Sequence, residues 1–271
     1  GTNKNDQFSP PSIEVFLHTF YKKAYENQIS AIGITDYFSI DRYLDAIEYQ
    51  NNIDSKLDDE GDQLFNSDEI GFIKNIFIFP NVELRMLPST DKGRLINIHC
   101  IFNPDYVADL ENDFFSHIEN QDQVKMNRYG ITNYGKSLDA SITDEKKQYE
   151  KGIENFVIDL KSLKELISTN KKFRDNTLLV VSNSNNDGAS GTQKHYELFE
   201  NEQGSLDGLR KSIYFISDAI FSANSKDIRY FVGKKSEGAA GYDDEILKTE
   251  IDEVLQNRGS LKPCIIGCDA H

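Results

Sequence analysis

Apolar residues along this chain recur at helical and strand-like spacings by turns, which predicts a protein of alternating helices and strands. Short, mostly apolar runs predict strands at 31–35, 76–84, 95–102, 177–182, near 217–222 and from residue 264. Helical spacing predicts helices over about 12–28, 104–119, 153–171, 226–231 and 243–256, with further helical stretches after residue 38 and from about residue 205. The stretches 54–68 and 120–150 are polar, and we expect loops or irregular structure there.

This order of elements favours an α/β fold of the barrel type. About six strands are predicted, and most of them are followed by a helix. No GxGxxG sequence follows a strand, which argues against a dinucleotide-binding sheet. No repeat and no domain boundary is evident, so residues 1–271 are predicted to form a single domain.

Composition narrows the environment and the partners. The chain has 45 acidic and 30 basic residues, and a net charge of −15 disfavours general binding to nucleic acid. A nuclease stays open, because bound metal ions can supply positive charge locally. The apolar runs are too short for a membrane helix and no leader is evident, so we expect a cytoplasmic protein with no membrane partner. Three cysteines without CxxC spacing predict buried free thiols.

Acidic and imidazole side chains stand at the ends of four predicted strands. Asp36 follows the first strand, Glu83 the second and His99 the third, while Asp269 and His271 end the last. The carboxyl ends of parallel strands meet at one edge of a sheet, where α/β proteins place their chemistry. Carboxylates and imidazoles together suit divalent metals, so a metal centre is the leading hypothesis.

Each of these residues also has an ordinary structural explanation. Asp36 could be a helix N-cap, Glu83 a charged strand end and His99 a hydrogen-bonded core histidine. Asp269 and His271 could form a polar turn. The remaining histidines lie in polar surroundings and are predicted to be at the surface: His18, His117 and His195.

Four motifs in this order resemble those of the PHP (polymerase and histidinol phosphatase) superfamily. They are ITDYFSID at 34–41, FPNVELR at 79–85, INIHCIF at 96–102 and GCDAH at 267–271. The resemblance implies a distorted (β/α)7 TIM-like barrel that hydrolyses phosphoesters with a two- or three-metal centre. The family opens with a strand that ends in His-x-His. No such motif precedes Asp36 here, so the resemblance implies a barrel without its first strand in this chain.

Two longer stretches narrow the resemblance to one branch of that superfamily. LRKSIYFISDAIFSANSKDIRYFVG and LKPCIIGCDAH look like the PHP domain of TrlF-type bacterial proteins, which are linked to phage defence. Those proteins continue into an SMC/ABC-like ATPase. No phosphate-binding loop of the Walker type occurs here, so the resemblance implies a fragment whose ATPase partner lies beyond His271.

Carried over residue by residue, the resemblance gives metal ligands at Asp36, Glu83, His99, Asp269 and His271. The implied cofactors are one to three divalent ions, Mn, Zn, Fe or Mg, with Asp36 and His99 in catalytic roles. The implied substrate is a phosphoester, with a nucleic acid or a nucleotide among the candidates. Arg85 lies two residues beyond Glu83 on the same strand face, which makes it a candidate catalytic clamp for the substrate phosphate.

Two positions depart from the family pattern and leave a second function open. Tyr37 stands where the family usually has His, and Asn183 follows the strand after which a further family His is expected. The favoured function is a metal-dependent phosphoesterase domain. The alternative is a degenerate, non-catalytic module with a structural or regulatory role. A ligand-binding barrel without metal has little support beyond the acidic composition.

Overall fold

A computed structural model describes residues 4–6, 9–58, 60–89, 93–183, 188–189 and 203–266. Over these ranges the protein is a mixed α/β fold built on a curled, half-barrel sheet of six strands. The strands are β1 (Ala31–Tyr37), β2 (Phe77–Ser89), β3 (Leu95–Phe102), β4 (Thr177–Ser182), β5 (Ala219–Phe221) and β6 (Cys264–Ile265). They lie side by side in chain order, with β1 and β6 at the two edges of the sheet.

Ten α-helices in the described ranges accompany the sheet. They are α1 (Ile13–Glu26), α2 (Asp41–Asn51), α3 (Ser67–Ile73), α4 (Arg128–Leu138), α5 (Glu145–Asn155), α6 (Leu160–Thr169), α7 (Lys171–Asp175), α8 (Gln203–Ile216), α9 (Ser225–Phe231) and α10 (Asp244–Arg258). Most of their N-termini are capped by a Ser, Asn or Asp side chain, as at Ser12, Asn66 and Asp243. None of the helices in the described ranges is long and apolar enough to span a bilayer.

The two faces of the sheet differ in character. One face, which we call the core face, carries Val82, Leu84, Ile98, Cys100 and Val181, all fully buried in a single hydrophobic cluster. Successive strand residues point to opposite faces, so their neighbours in sequence form the other face. That second face, the polar face, carries Tyr37, Asn81, Glu83, Arg85, Asn97 and His99.

Strand direction corrects the sequence-based picture of the sheet. β1 and β2 are parallel, as are β4, β5 and β6, but β3 runs antiparallel to both of its neighbours. His99 is therefore not the end of its own strand: it lies within β3, and its pairing with Glu83 places it level with Tyr37 at the carboxyl end of β1. Over the described residues the sheet is an open half-barrel and not a closed (β/α)7 barrel. The expectation that the family's first strand is missing stays a prediction.

Several predicted boundaries were wrong for identifiable reasons. Residues 120–150 were expected to be irregular but contain α4 and the start of α5, two polar helices that pack through glycines. A Cβ at Gly135 would lie 1.8 Å from the carbonyl oxygen of Gln148, so the absence of side chains permits this contact. The single helix expected over 104–119 is a 3-10 turn (Pro104–Asp109) followed by a π turn (Glu111–Phe115). The helix expected over 153–171 divides between α5 and α6.

Other elements agree closely with the pattern of the sequence. The predicted strand at 177–182 matches β4 residue for residue, and α1, α9 and α10 lie within about two residues of expectation. The first strand is two residues longer than predicted and includes Asp36 and Tyr37. That difference matters, because both residues then alternate as strand residues do.

Candidate functional site

Tyr37, Glu83 and His99 form one line across three neighbouring strands on the polar face. Tyr37 pairs with Glu83 between β1 and β2, and Glu83 pairs with His99 between β2 and β3. Residues that pair directly across strands point to the same face with their Cβ atoms about 5 Å apart. We call these three residues the polar row. The structure therefore brings together two of the predicted ligands, Glu83 and His99.

Asn81 connects the polar row to its surroundings. It lies two residues before Glu83 on the same face and is 7% exposed. Its Nδ2 lies 2.8 Å from the hydroxyl oxygen of Thr35 and 3.1 Å from Nδ1 of His99. Its Oδ1 is buried and has no hydrogen-bond partner among the described residues. Among the described residues, a buried oxygen acceptor without a hydrogen bond therefore lies two residues from Glu83.

His99 is held in a largely enclosed position. Its ring packs edge-on against Phe221 of β5, with 4.6 Å between ring centroids. Burial lowers the pKa of His99 to about 4, so the imidazole is neutral at physiological pH. A neutral imidazole has one nitrogen with a lone pair, and this nitrogen can bind a metal ion.

Asp36 does not join the polar row. It pairs with the buried Val82, so its side chain lies on the core face, and it is 4% exposed. Its Oδ2 accepts a hydrogen bond of 2.8 Å from the backbone N–H of Arg42, in the first turn of α2. Burial raises the pKa of Asp36 to about 7. Alternation along β1 thus turns Asp36 away from Glu83 and His99 and toward the first turn of a helix, and its role as a ligand stays a prediction.

Arg85 is also placed differently from its predicted role as a phosphate clamp. Its side chain is buried, and its guanidinium donates hydrogen bonds to the carbonyls of Ile153 and Glu154 near the end of α5. Its Cζ lies 4.8 Å from the ring centroid of Tyr37 and 5.0 Å from that of Phe38. Burial lowers the pKa of Arg85, and the nearby carboxylates of Glu83 and Glu154 oppose that effect. The group closes a helix end and stacks on aromatics, which leaves it poorly placed to reach a substrate.

Asn183 also has a structural partner. Its Oδ1 accepts a hydrogen bond of 2.5 Å from the hydroxyl of Tyr214, and its backbone N–H donates to the carbonyl of Phe221. The remaining predicted ligands, Asp269 and His271, lie outside the described residues, as does His195. His18 and His117 both lie away from the row, His18 against Phe65 and His117 against the carbonyl of Asn112.

The residues of the polar row fit a divalent metal in chemistry but not yet in number. Glu83 offers a carboxylate and His99 an imidazole, both of them ligand types for Mn, Zn or Fe. Among the described residues, no group of three or more His, Cys, Asp or Glu side chains is arranged to hold an ion. A site here would need further ligands, and Asp269 and His271 stay the predicted ones.

Sequence reasoning missed Asn81 and Thr35. The pattern contained the information, because Asn81 interrupts an apolar strand two residues before Glu83, and a period of two places both on one face. Thr35 pairs with Asn81 across β1 and β2 in the same way. They were missed because only acidic and imidazole side chains at strand ends were considered as candidates.

Comparison with known proteins gives little to transfer. No protein-family model matches the chain. No curated protein matches it. One solved structure, from Bifidobacterium adolescentis and provisionally named a metal-dependent phosphoesterase, aligns with 92% of this chain and 80% of its own. The identity is 10% and the TM-score is 0.32, a level of similarity that transfers neither fold nor activity.

Proposed function

We propose that the polar row is the centre of a metal-assisted phosphoester hydrolase site. The observation that supports this most directly is the pairing of Glu83 with His99 on the polar face, where both side chains are partly accessible. A hard carboxylate oxygen beside a neutral imidazole is the combination that hydrolytic metal sites use. The resemblance of the four sequence motifs supports the choice of a phosphoester as substrate.

The chain's own residues would have distinct tasks in such a site. Glu83 supplies negative charge that attracts a cation, and His99 supplies a neutral nitrogen ligand. Phe221 covers one side of the His99 ring and limits the access of water from that side. Bound divalent metal lowers the pKa of a coordinated water and offsets the charge of a phosphoryl group. Tyr37, beside Glu83 in the row, would be the hydroxyl donor to the substrate in such a site.

The remaining parts of the proposal depend on sequence resemblance alone. Asp269 and His271 would complete the ligand set from the end of the last strand. The domain would act in a longer protein that carries a downstream ATPase, with a nucleotide or nucleic acid as the phosphoester and phage defence as its setting. Mn, Zn, Fe and Mg are all candidate ions, since carboxylate and imidazole ligands accept each of them.

One specific set of observations favours a non-catalytic alternative. Tyr37 occupies the row position where the family has His, Asp36 is turned to the core face, and Arg85 binds the end of α5. In this second function the fold would retain the site's outline but serve as a structural or regulatory module. The two functions differ in whether Glu83 and His99 bind a metal ion.

Metal content separates these two functions. The protein would be purified without chelator and its metal measured by elemental mass spectrometry, for wild type, Glu83→Gln, His99→Gln and the surface control His117→Gln. We expect about one or more ions per chain in wild type and in the control, because a bound site needs both row ligands. Both row variants should lose most of this metal while remaining folded by circular dichroism.

Hydrolysis of a generic phosphodiester, bis-p-nitrophenyl phosphate, should follow metal content across the four proteins. If the wild-type protein binds no metal even after Mn or Zn is added, the proposal is refuted and the non-catalytic module is favoured. Metal that persists in both row variants would show that the site lies elsewhere. Full metal with no hydrolysis of either monoester or diester substrates would retain the metal site but refute the hydrolase.

A further inference from the structure

The amide of Asn81 can hold the ring of His99 in only two ways. As placed, Nδ2 uses its two hydrogens on two acceptors, Oγ1 of Thr35 and Nδ1 of His99, and leaves Oδ1 unpaired. Rotated by half a turn, Oδ1 would accept from both partners and two N–H donors would be left unpaired in the same buried position. The choice between them decides which nitrogen of His99 carries the proton.

The burial of Asn81 decides between these orientations in the metal-free protein. The side chain is 93% buried, and the unpaired atom has almost no contact with solvent. A buried N–H without a partner is rarer and costlier than an under-used carbonyl oxygen. The orientation with two satisfied donors is therefore favoured, and it makes Nδ1 of His99 an acceptor.

We propose that Asn81 is a positioning residue that holds His99 with its proton on Nε2. In that tautomer the nitrogen that faces away from Asn81 is a hydrogen-bond donor and has no lone pair. A metal can bind Nε2 only if the proton moves to Nδ1 and the amide of Asn81 turns to accept it. Asn81 thus opposes metal binding by this histidine, whereas a carboxylate or carbonyl partner would favour it.

This inference deepens the proposed hydrolase and rests on it for its consequence, but the tautomer can be measured without any metal. The protein would be labelled with 15N and studied by NMR at about pH 8, where any histidine is neutral. Loss of a signal in His99→Gln identifies the ring. We expect a protonated Nε2, an unprotonated Nδ1 and a scalar coupling across the hydrogen bond from Nδ2 of Asn81 to Nδ1 of His99.

The variant Asn81→Asp should reverse the position of the proton on the ring of His99. The carboxylate can only accept, so the proton should move to Nδ1 and the lone pair to Nε2. Asn97→Asp is the matched control, because it adds the same charge on the same face, two residues from His99 on β3. That control should keep the wild-type tautomer. Asn81→Leu, which keeps the approximate volume, should lose the coupling without gaining the new tautomer.

The outcomes separate the inference from the proposed function. A proton on Nδ1 in wild type, or no coupling to Asn81, overturns the inference, as does an unchanged tautomer in Asn81→Asp. If the tautomer switches as expected, affinity for Zn should rise about tenfold in Asn81→Asp, the size of typical effects from groups that orient a ligand. If the tautomer switches and no variant binds Zn or Mn, the positioning role stands and the metal hydrolase fails.

Discussion

Replacement of Asp36 by Asn should stabilise the protein at neutral and higher pH. The carboxylate is 4% exposed, and burial raises its pKa to about 7 from an ordinary value of 3.8. The nearby charges of Asp41 and Asp6 act in the same direction, while the Arg42 N–H and its positive charge act against it. The ionised form is therefore disfavoured in the folded state, and folding must offset that cost at any pH above about 7.

The sign follows from proton binding in the two states. Between about pH 4 and pH 7 the folded protein binds a proton at Asp36 that the unfolded chain has lost, so stability falls as pH rises through this window. A difference of about three pKa units corresponds to about 4 kcal/mol above pH 7. From about pH 5.5 to pH 8 the wild type should lose about 2 kcal/mol that Asp36→Asn retains.

Urea unfolding at both pH values would measure this difference. Asn can still accept the hydrogen bond from the backbone of Arg42, so the helix contact is retained in the variant. The control is Asp252→Asn on the exposed surface of α10, which removes the same charge. A variant that is less stable than wild type at pH 8 would refute the reasoning. That result would mean the carboxylate is stabilised in its ionised form, as a bound cation would do.

Two further predictions concern packing and Arg85. Gly135→Ala should destabilise the protein by about 3 kcal/mol or more in urea unfolding, because its Cβ would overlap backbone atoms of α5. The matched change Gly71→Ala on α3, where nothing lies within 4 Å, should stabilise it by about 0.5–1 kcal/mol, and similar losses at both sites would contradict this view. Arg85→Met should cost about 2–4 kcal/mol through the unpaired carbonyls of α5, whereas Arg229→Met on the exposed side of α9 should cost little. If Arg85→Met instead left stability unchanged and raised KM for a phosphodiester, the prediction that Arg85 binds the substrate phosphate would be supported.

Local patterns in the sequence were sufficient for most elements of the fold. β4 is short, β-branched and bounded by polar residues, and its limits were predicted without error. The helix α4 and the first part of α5 were not predicted, because both are rich in polar residues and approach each other closely at Gly135 and Gly152. A glycine at a helix contact adds no apolar side chain to the pattern, so the polar composition of this stretch favoured a loop.

The direction of β3 could not be obtained from its residues either. The sequence pattern of a buried strand is the same in parallel and antiparallel pairing when helices cover one face of the sheet. The connection from β2 to β3, however, is short enough for a hairpin. The small number of residues between these strands, from the end of β2 at Ser89 to the start of β3 at Leu95, was the available clue. Parallel strands need a crossover of a dozen or more residues. Taken with that length, the sequence already favoured an antiparallel His99 strand.

The assignment of the row depended on one further step, the exact phase of β1. Sequence motifs marked the end of that strand, and both Asp36 and Tyr37 stood there. A strand offers each face only one of two neighbouring residues, so either one could join Glu83 and His99 but not both. Pairing of Tyr37 with Glu83 gives the polar face a phenol and sends the carboxylate to the first turn of α2. The proposed site would depend more heavily on its remaining ligands after losing an acid in this way, and we expect the tautomer of His99 to change its affinity for metal by about the tenfold predicted for Asn81→Asp.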